Sequence, residues 1–307
     1  MDQNLLFTTY FSDWIDVYKR DAVRPVTLRK YETSLKRLSQ VAPSLTIASL
    51  DRRTYQGILN TYAQTHERQT TLDFHHQLRA AVLDAVDDGL LEYDPTRRAV
   101  AKGIVRRRST VKFLSLGEVK QLLAVLDLGG APSWDHFIYI VLKTGLRFAE
   151  ALGLTPADMS VSGMTVSVTK TWDYKSASPG FAPTKNKSSL RTIPVDEHTC
   201  NIIAKIVDRV AADQPVFVPL GHRVFNESVN NRLRQLCAAA GIPTVTVHGL
   251  RHTHASILLY AGVSVASAAR RLGHANITTT QRTYLHIIDE LEAKDNDKVI
   301  RCLEKLG

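Results

Sequence analysis

Apolar residues recur at three- and four-residue steps through almost all of the first hundred positions, and no strand candidate stands out there. That period belongs to helices lying on a shared core and suggests an all-α module for this part of the chain. Phe7, Tyr10, Phe11, Trp14 and Tyr18 make one stripe; Leu28, Tyr31, Leu35 and Leu38 make a second, opened by Pro25 and Thr27. Shorter periodic stretches run from Tyr55 to Tyr62 and from Leu72 to Val86, the latter closed by Asp88-Gly89. Residues 1–100 are therefore expected to form a small module of four short helices, with these stripes as its core.

The character then changes. The segment YDPTRRAVAKGIVRRRSTVKF packs seven basic residues into Arg97 to Lys112 with one Pro and one Gly, and reads as an exposed linker over residues 101–113 rather than a packed element. Charge supports a polyanionic partner. Lys and Arg number 39 against 30 Asp and Glu, a net +9, and dividing the chain at residue 112 leaves 18 − 13 = +5 before and 21 − 17 = +4 after. Both halves are basic, so nucleic acid is the first expectation and an anionic membrane surface the second. A basic linker between basic domains can follow a phosphate backbone, which makes Arg97, Arg98, Lys102, Arg106, Arg107 and Arg108 candidate DNA contacts.

A second domain opens at the capping box Ser115-Leu116-Gly117-Glu118, ahead of Val119, Leu122, Leu123 and Leu126. An apolar helix from about His136 to Lys143 ends at Gly145; Met164 to Val168 and Arg191 to Val195 read as strands, with a turn at Asn186 to Ser188. Helical periodicity then returns at Ile202–Val210, Val229–Ala239, Ala255–Tyr260, Val265–Leu272 and Ile277–Ile288. At 307 residues, two domains are the ordinary expectation.

Several chemistries lack their residues. There is no Walker-type GxxxxGK[ST], no GxSxG elbow and no HExxH, and His252 with His254 make a poor metal site without a cysteine nearby. No apolar run approaches the ~18 residues of a membrane span. The start MDQNLLFTTYFSDW has an acidic, aromatic n-region unlike a signal peptide. Cys200, Cys237 and Cys302 are too dispersed for a disulfide framework and fit a reducing cytosol. What remains is a set of cations and proton carriers where loops meet helices: Arg147 in TGLRFAEALGL, Lys185 at an expected hairpin tip in PTKNKSSLRTIPV, His248 and Arg251 in TVHGLRHTHAS, and His274 ten residues before Tyr284. Singly each is weak. Together, guanidiniums that grip phosphate oxygens, a phenol able to attack and a lysine able to protonate a leaving oxygen suit phosphoryl transfer without a metal.

In these motifs the chain resembles the tyrosine recombinases, the phage-type integrases. TGLRFAEALGL resembles their first arginine box, PTKNKSSLRTIPV their lysine hairpin, and HGLRHTHAS with LGHANITTTQRTY their second box, in the family's order across residues 114–288. The resemblance implies a four-helix core-binding domain of the SAM-like kind and a mainly α catalytic domain with a small β-sheet or hairpin, together forming a C-shaped clamp. It implies that Arg147 and Arg251 clamp phosphate, Lys185 is the general acid, His248 the acid/base histidine, His274 a phosphate ligand and Tyr284 the nucleophile. Glu150 matches a supporting acidic residue. Lys187 is the nearby competitor for the lysine role, and the spacing Lys185, Ser189, Arg191 favours Lys185. Phe148 stands where the family often has Ile or Val, and the chain is expected to start at the core-binding helices, without the arm-site domain many integrases carry.

The implied function is site-specific DNA strand exchange through a 3′-phosphotyrosyl intermediate, with no metal, ATP or other cofactor. The implied partners are double-stranded recombination sites, three further copies in a tetramer on paired sites, and an excisionase or host DNA-bending protein. The expected location is cytoplasmic, at the nucleoid. A non-catalytic DNA-binding clamp and a type IB topoisomerase are the alternatives; the first need not keep Tyr284, Lys185 and both arginines, and the second lacks integrase-like N-terminal helices. In the tail, residues 289–307, Val299, Ile300, Leu303 and Leu306 fall on one helical side and are expected to dock on this protomer or, as family members commonly do, on a neighbour.

Overall fold

The structure is a computed structural model and describes residues 4–105, 111, 113–176, 178–219 and 221–284. The expected tail and Arg106, Arg107 and Arg108 lie outside the described residues. Contacts divide the chain into two compact units between Arg107 and Arg108.

The first unit is helical: α1 (Phe7–Tyr18), α2 (Pro25–Val41), α3 (Arg52–Ala63) and α4 (Arg68–Asp87). Two of the four are not short, since α2 runs 17 residues and α4 runs 20. Phe7, Phe11 and Trp14 are buried together with Leu38, Tyr55, Leu59, Phe74 and Leu78. Tyr18 lies at the rim, half exposed, because the stripe drifts off the core after about three turns. Polar tips inside this core find partners: Trp14 Nε1 donates to Asp84, and the Tyr55 hydroxyl meets His75 Nδ1 at 2.9 Å.

The start of the basic run corrects the sequence expectation. Residues 97–105, expected as an exposed linker rather than a packed element, keep much of their exposure but are fastened as a strap along the first unit. The Gln56 side chain holds Val100 at both backbone groups, at 2.9 Å each, and Ile104 N–H donates to the His66 carbonyl. Gly103 passes so close to α4 that a Cβ there would stand 2.1 Å from the Arg68 nitrogen. Only glycine permits that approach.

The second unit is mainly α with small antiparallel sheets. Ser115 and Glu118 form the expected capping box at the head of α5 (Leu116–Ala124). The central α6 (Trp134–Thr144) is buried along nearly its whole length. After α7 (Phe148–Leu152), β1 (Met159–Ser160), β2 (Thr165–Val168) and β5 (Arg191–Pro194) form a sheet in the order β1-β2-β5, while β3 (Thr171–Asp173) pairs with β4 (Gly180–Ala182) as a separate hairpin. Then follow α8 (Glu197–Val207), α9 (Asn226–Ala239), α10 (Val247–Tyr260) and α11 (Val265–Leu272), with residues 277–284 helical again. Cys200 and Cys237 are buried and behave as small apolar side chains. Among the described residues no helix is long and apolar enough to cross a membrane.

Candidate active site

Two helix ends build the floor of the site. Gly145 terminates α6 at φ 69° and Gly273 terminates α11 at φ 67°, both left-handed caps that leave the last carbonyls of each helix without helical partners. Arginines take those carbonyls. Arg251 donates to Gly145 O at 2.5 Å and to Leu272 O at 2.6 Å, and Arg147 donates to Gly273 O at 2.7 Å. The negative end of a helix dipole favours a cation, so each guanidinium sits where the backbone already wants positive charge. Both glycines are also sterically required: a Cβ on Gly145 would stand 2.6 Å from His254 Cδ2, and one on Gly273 would stand 2.7 Å from an Arg191 nitrogen.

Glu150 organises the arginines. The sequence around Arg147 starts α7 there, and Glu150, three residues on, accepts from the Arg147 N–H at 2.9 Å and from its guanidinium at 2.6 Å. It also accepts from Arg191 at 2.9 Å. Burial alone would raise the Glu150 carboxyl, but the Arg191 hydrogen bond and charge, with Arg147 behind them, hold it below its ordinary range. Three guanidiniums against one carboxylate leave two formal positive charges in a site that burial keeps partly dry. Arg251 is itself lowered to about 9, by burial first and then by Arg147, and so stays charged at neutral pH.

The helix α10 carries the next groups. Thr246 caps it, accepting from Gly249 N at 3.0 Å, which places His248, Arg251 and His252 at successive positions of one face. His248 keeps an exposed edge; desolvation by the surrounding protein, then the charges of Arg251 and Arg147, lower its pKa. His274 follows α11, with Nδ1 at 2.6 Å from the buried Thr280 hydroxyl. Burial and then Arg251 bring it to about 4, so it is neutral at physiological pH. Tyr284 is 2% exposed, its ring packed against Ala255, Leu259, Ala268 and Leu272. Its hydroxyl lies 2.8 Å from His252 Nδ1. Burial pushes the phenol up to about 12 against the pull of Arg251.

Lys185 departs from the sequence expectation. The β3–β4 hairpin turns between Asp173 and Gly180, and Lys185 lies beyond β4, exposed, ahead of a 3-10 turn at Lys187–Ser189. Lys187 is exposed in that turn. The spacing of Lys185, Ser189 and Arg191 nevertheless has a physical reason. The Ser189 hydroxyl donates to Asn186 at 2.7 Å and accepts from Arg147 at 3.4 Å, while Arg191 binds Glu150 and the Arg271 carbonyl. These bonds fasten the lysine-bearing segment to the arginine floor.

Sequence reasoning missed three groups. His252 was weighed only as a metal ligand; its place four residues after His248, on the same face, was the available signal. His254 instead points its Nδ1 to the Leu142 carbonyl and receives Arg271 at Nε2, and among the described residues no three metal-ligating side chains gather. Arg52 and Arg53 are the others. With Arg97 and Arg98 they line a cleft of about 300 Å³ in the first unit, beside the N-terminus of α3, and none of the four makes an ion pair among the described residues. Arg98 adopts φ 60°, and Lys102 is exposed further along the strap.

Residues 112–290 match the profile of the Phage integrase family. The integrase of Staphylococcus phage L54a is 21% identical, over 99% of this chain and 94% of its own. A XerC-like tyrosine recombinase of Caldanaerobacter subterraneus subsp. tengcongensis is 24% identical over 90% of this chain and 78% of its own. Among solved structures, the Tn1549 transposon integrase in complex with transposon right end DNA superposes with a TM-score of 0.76 at 19% identity, covering 91% of this chain and 95% of that one. A lambda integrase tetramer bound to a Holliday junction gives 0.63 at 17% identity, covering 92% and 78%.

Proposed function

The chain belongs to the phage integrase family and is a tyrosine-type site-specific DNA recombinase; from that premise we propose that Tyr284 is its nucleophile and that Arg147, Arg251 and His274 hold the scissile phosphate beside the acid/base histidine His248. The observation that carries this reading is the shared floor: both arginines seated on helix C-termini around Glu150, with His274 and the Tyr284 phenol drawing on the same Arg251 charge. Two surplus positive charges match a phosphodiester that gains negative charge on its non-bridging oxygens as the fifth bond forms. The Thr280 contact at Nδ1 leaves Nε2 of His274 to face a phosphate oxygen. Attack by the Tyr284 oxygen forms a 3′-phosphotyrosyl bond and expels the 5′-oxygen, which Lys185 protonates. The energy of the broken bond stays in the new one, so another 5′-hydroxyl can reverse the step.

Double-stranded DNA is the substrate. Arg52 and Arg53, with Arg97 and Arg98 in the same cleft and Lys102 further along the strap, are proposed to grip its backbone from the first unit. Arg106, Arg107, Arg108 and Lys187 are proposed as further phosphate contacts. Exchange between two sites needs four active tyrosines, which is the argument for a homotetramer on paired sites. Help from an excisionase or a DNA-bending protein, and a location at the nucleoid, belong to the same proposal.

The test is a nicked suicide substrate, from which the cleaved strand's short flank diffuses away and traps the adduct. Tyr284→Phe should abolish the covalent adduct while leaving the mobility shift unchanged. An adduct that persists in Tyr284→Phe would remove Tyr284 from the role, and the exposed Tyr260 would be the next tyrosine to test.

A further inference from the structure

A buried phenol cannot hand its proton to bulk water. Tyr284 is 2% exposed, and an apolar collar of Ala255, Leu259, Ala268 and Leu272 surrounds its ring. Whatever takes the proton when the oxygen attacks must already touch that oxygen. His252 does: its Nδ1 lies 2.8 Å from the hydroxyl, with the two rings meeting edge to face at 5.7 Å and 62°. His248, the histidine matched to the family's acid/base position, instead packs edge to face on His252 at 4.6 Å and has no hydrogen bond to the phenol among the described residues.

Resting on the recombinase reading, we propose that His252 is a further catalytic residue, taking the Tyr284 phenolic proton on Nδ1 during cleavage and returning it during rejoining. The atoms balance. As the phenolic oxygen bonds to phosphorus, its proton passes to His252 Nδ1; as the bond to the 5′-oxygen breaks, Lys185 supplies that oxygen's proton. In the reverse direction the imidazolium re-protonates the departing phenol, and the 5′-hydroxyl gives its proton back to Lys185. A protonated phenol donates to Nδ1, so the resting imidazole carries its own proton on Nε2. Burial pushes the phenol up to about 12, which keeps it protonated until a base acts.

Charged and titratable groups face His252 from three elements. His248 and Arg251 stand beside it on α10, Tyr284 faces it from the helical residues 277–284, and its charge in turn lowers His274 at the end of α11.

Two measurements on the full protein test this. In single-turnover cleavage of the suicide substrate, His252→Gln keeps a hydrogen-bonding side chain but cannot titrate. It should slow adduct formation on the order of 10²-fold and erase the acidic limb of the pH–rate profile, with the mobility shift unchanged. His248→Gln should slow cleavage yet retain that limb. A rate within about threefold of the unaltered protein, or a slowed rate that keeps the acidic limb, overturns the proposal. The second readout needs neither DNA nor turnover. With ¹³C-labelled tyrosine, the Tyr284 ring resonance, assigned by its loss in Tyr284→Phe, should inflect as a histidine titrates, and the inflection should vanish in His252→Gln. Failure of the unaltered protein to form any adduct would count against the recombinase reading itself. An adduct without the coupled inflection would count against His252 alone.

Discussion

Removing the charge of Glu150 while keeping its shape probes the arginine floor directly. In Glu150→Gln the amide oxygen can still accept from one arginine, but its NH₂ meets the donors of the other. Arg191 is the group left most exposed to the loss of charge: its side chain is 8% accessible, and Glu150 at 2% is the carboxylate it pairs with. Breaking a buried pair from one side costs about 3–5 kcal/mol, because the surviving charge is desolvated without compensation. Arg191 keeps its bonds to the Arg271 and Ser189 carbonyls, which places the expected loss near the lower end, about 3 kcal/mol. Arg147, 31% accessible, adds little. Urea unfolding in a Trp14→Phe background measures this, since Trp134 and Trp172 then report the second unit. Adding Arg191→Met to Glu150→Gln should recover at least ~1.5 kcal/mol, a coupling typical of contacting charges. The folded carboxyl titrates below its ordinary 4.5, so its contribution is present above that pH and disappears as the pH falls through the folded value. The gap between the two proteins should therefore narrow in acid. A loss under about 1 kcal/mol at pH 7, or a coupling indistinguishable from zero, would refute the assignment of Arg191 as a buried charge held by Glu150.

Gly145→Ala combines a left-handed backbone with a Cβ 2.6 Å from His254, and should destabilise the second unit by roughly 2–4 kcal/mol in the same urea assay. His254 and His274, at about 3 and about 4, are held neutral by burial, so stability should fall as pH drops from the ordinary 6.5 toward those values; a His274 resonance titrating at 6.5 would contradict the buried site. Mutating Arg52 and Arg53 together to alanine should flatten the slope of log affinity for DNA against log salt by about 2, and an unchanged slope would mean the cleft meets no phosphate. Lys185→Ala should cleave ordinary DNA slowly and recover on a substrate with sulfur at the 5′-bridging position, which leaves without a proton; recovery in Lys187→Ala alone would move the role to that residue.

Local rules made much of this molecule legible from the chain. Helical stripes announced α1 to α4, Ser115 and Glu118 announced the head of α5, and Gly145 announced the end of α6, because caps and periods act over a few residues. Motif order was enough to name Arg147, His248, Arg251, His274 and Tyr284 as one chemical set. Other features depend on what residues far apart in sequence do to one another. That the first part of the basic run is a strap depends on Gln56 and Arg68 lying beneath it, and no property of the run itself reveals them. The hairpin near Lys185 was misplaced because β2 pairs with β5 across an inserted β3–β4 pair, and pairing partners are chosen by the assembled sheet. His252 looked like a stray metal ligand until the helical residues 277–284 laid a phenol 2.8 Å away. The sequence by itself determined which cations and proton carriers are present and which face of α10 bears them. Tertiary packing decided which atoms they touch, since a hydrogen bond 32 residues apart in the chain is settled by how α10, α11 and the final helical turns share one core.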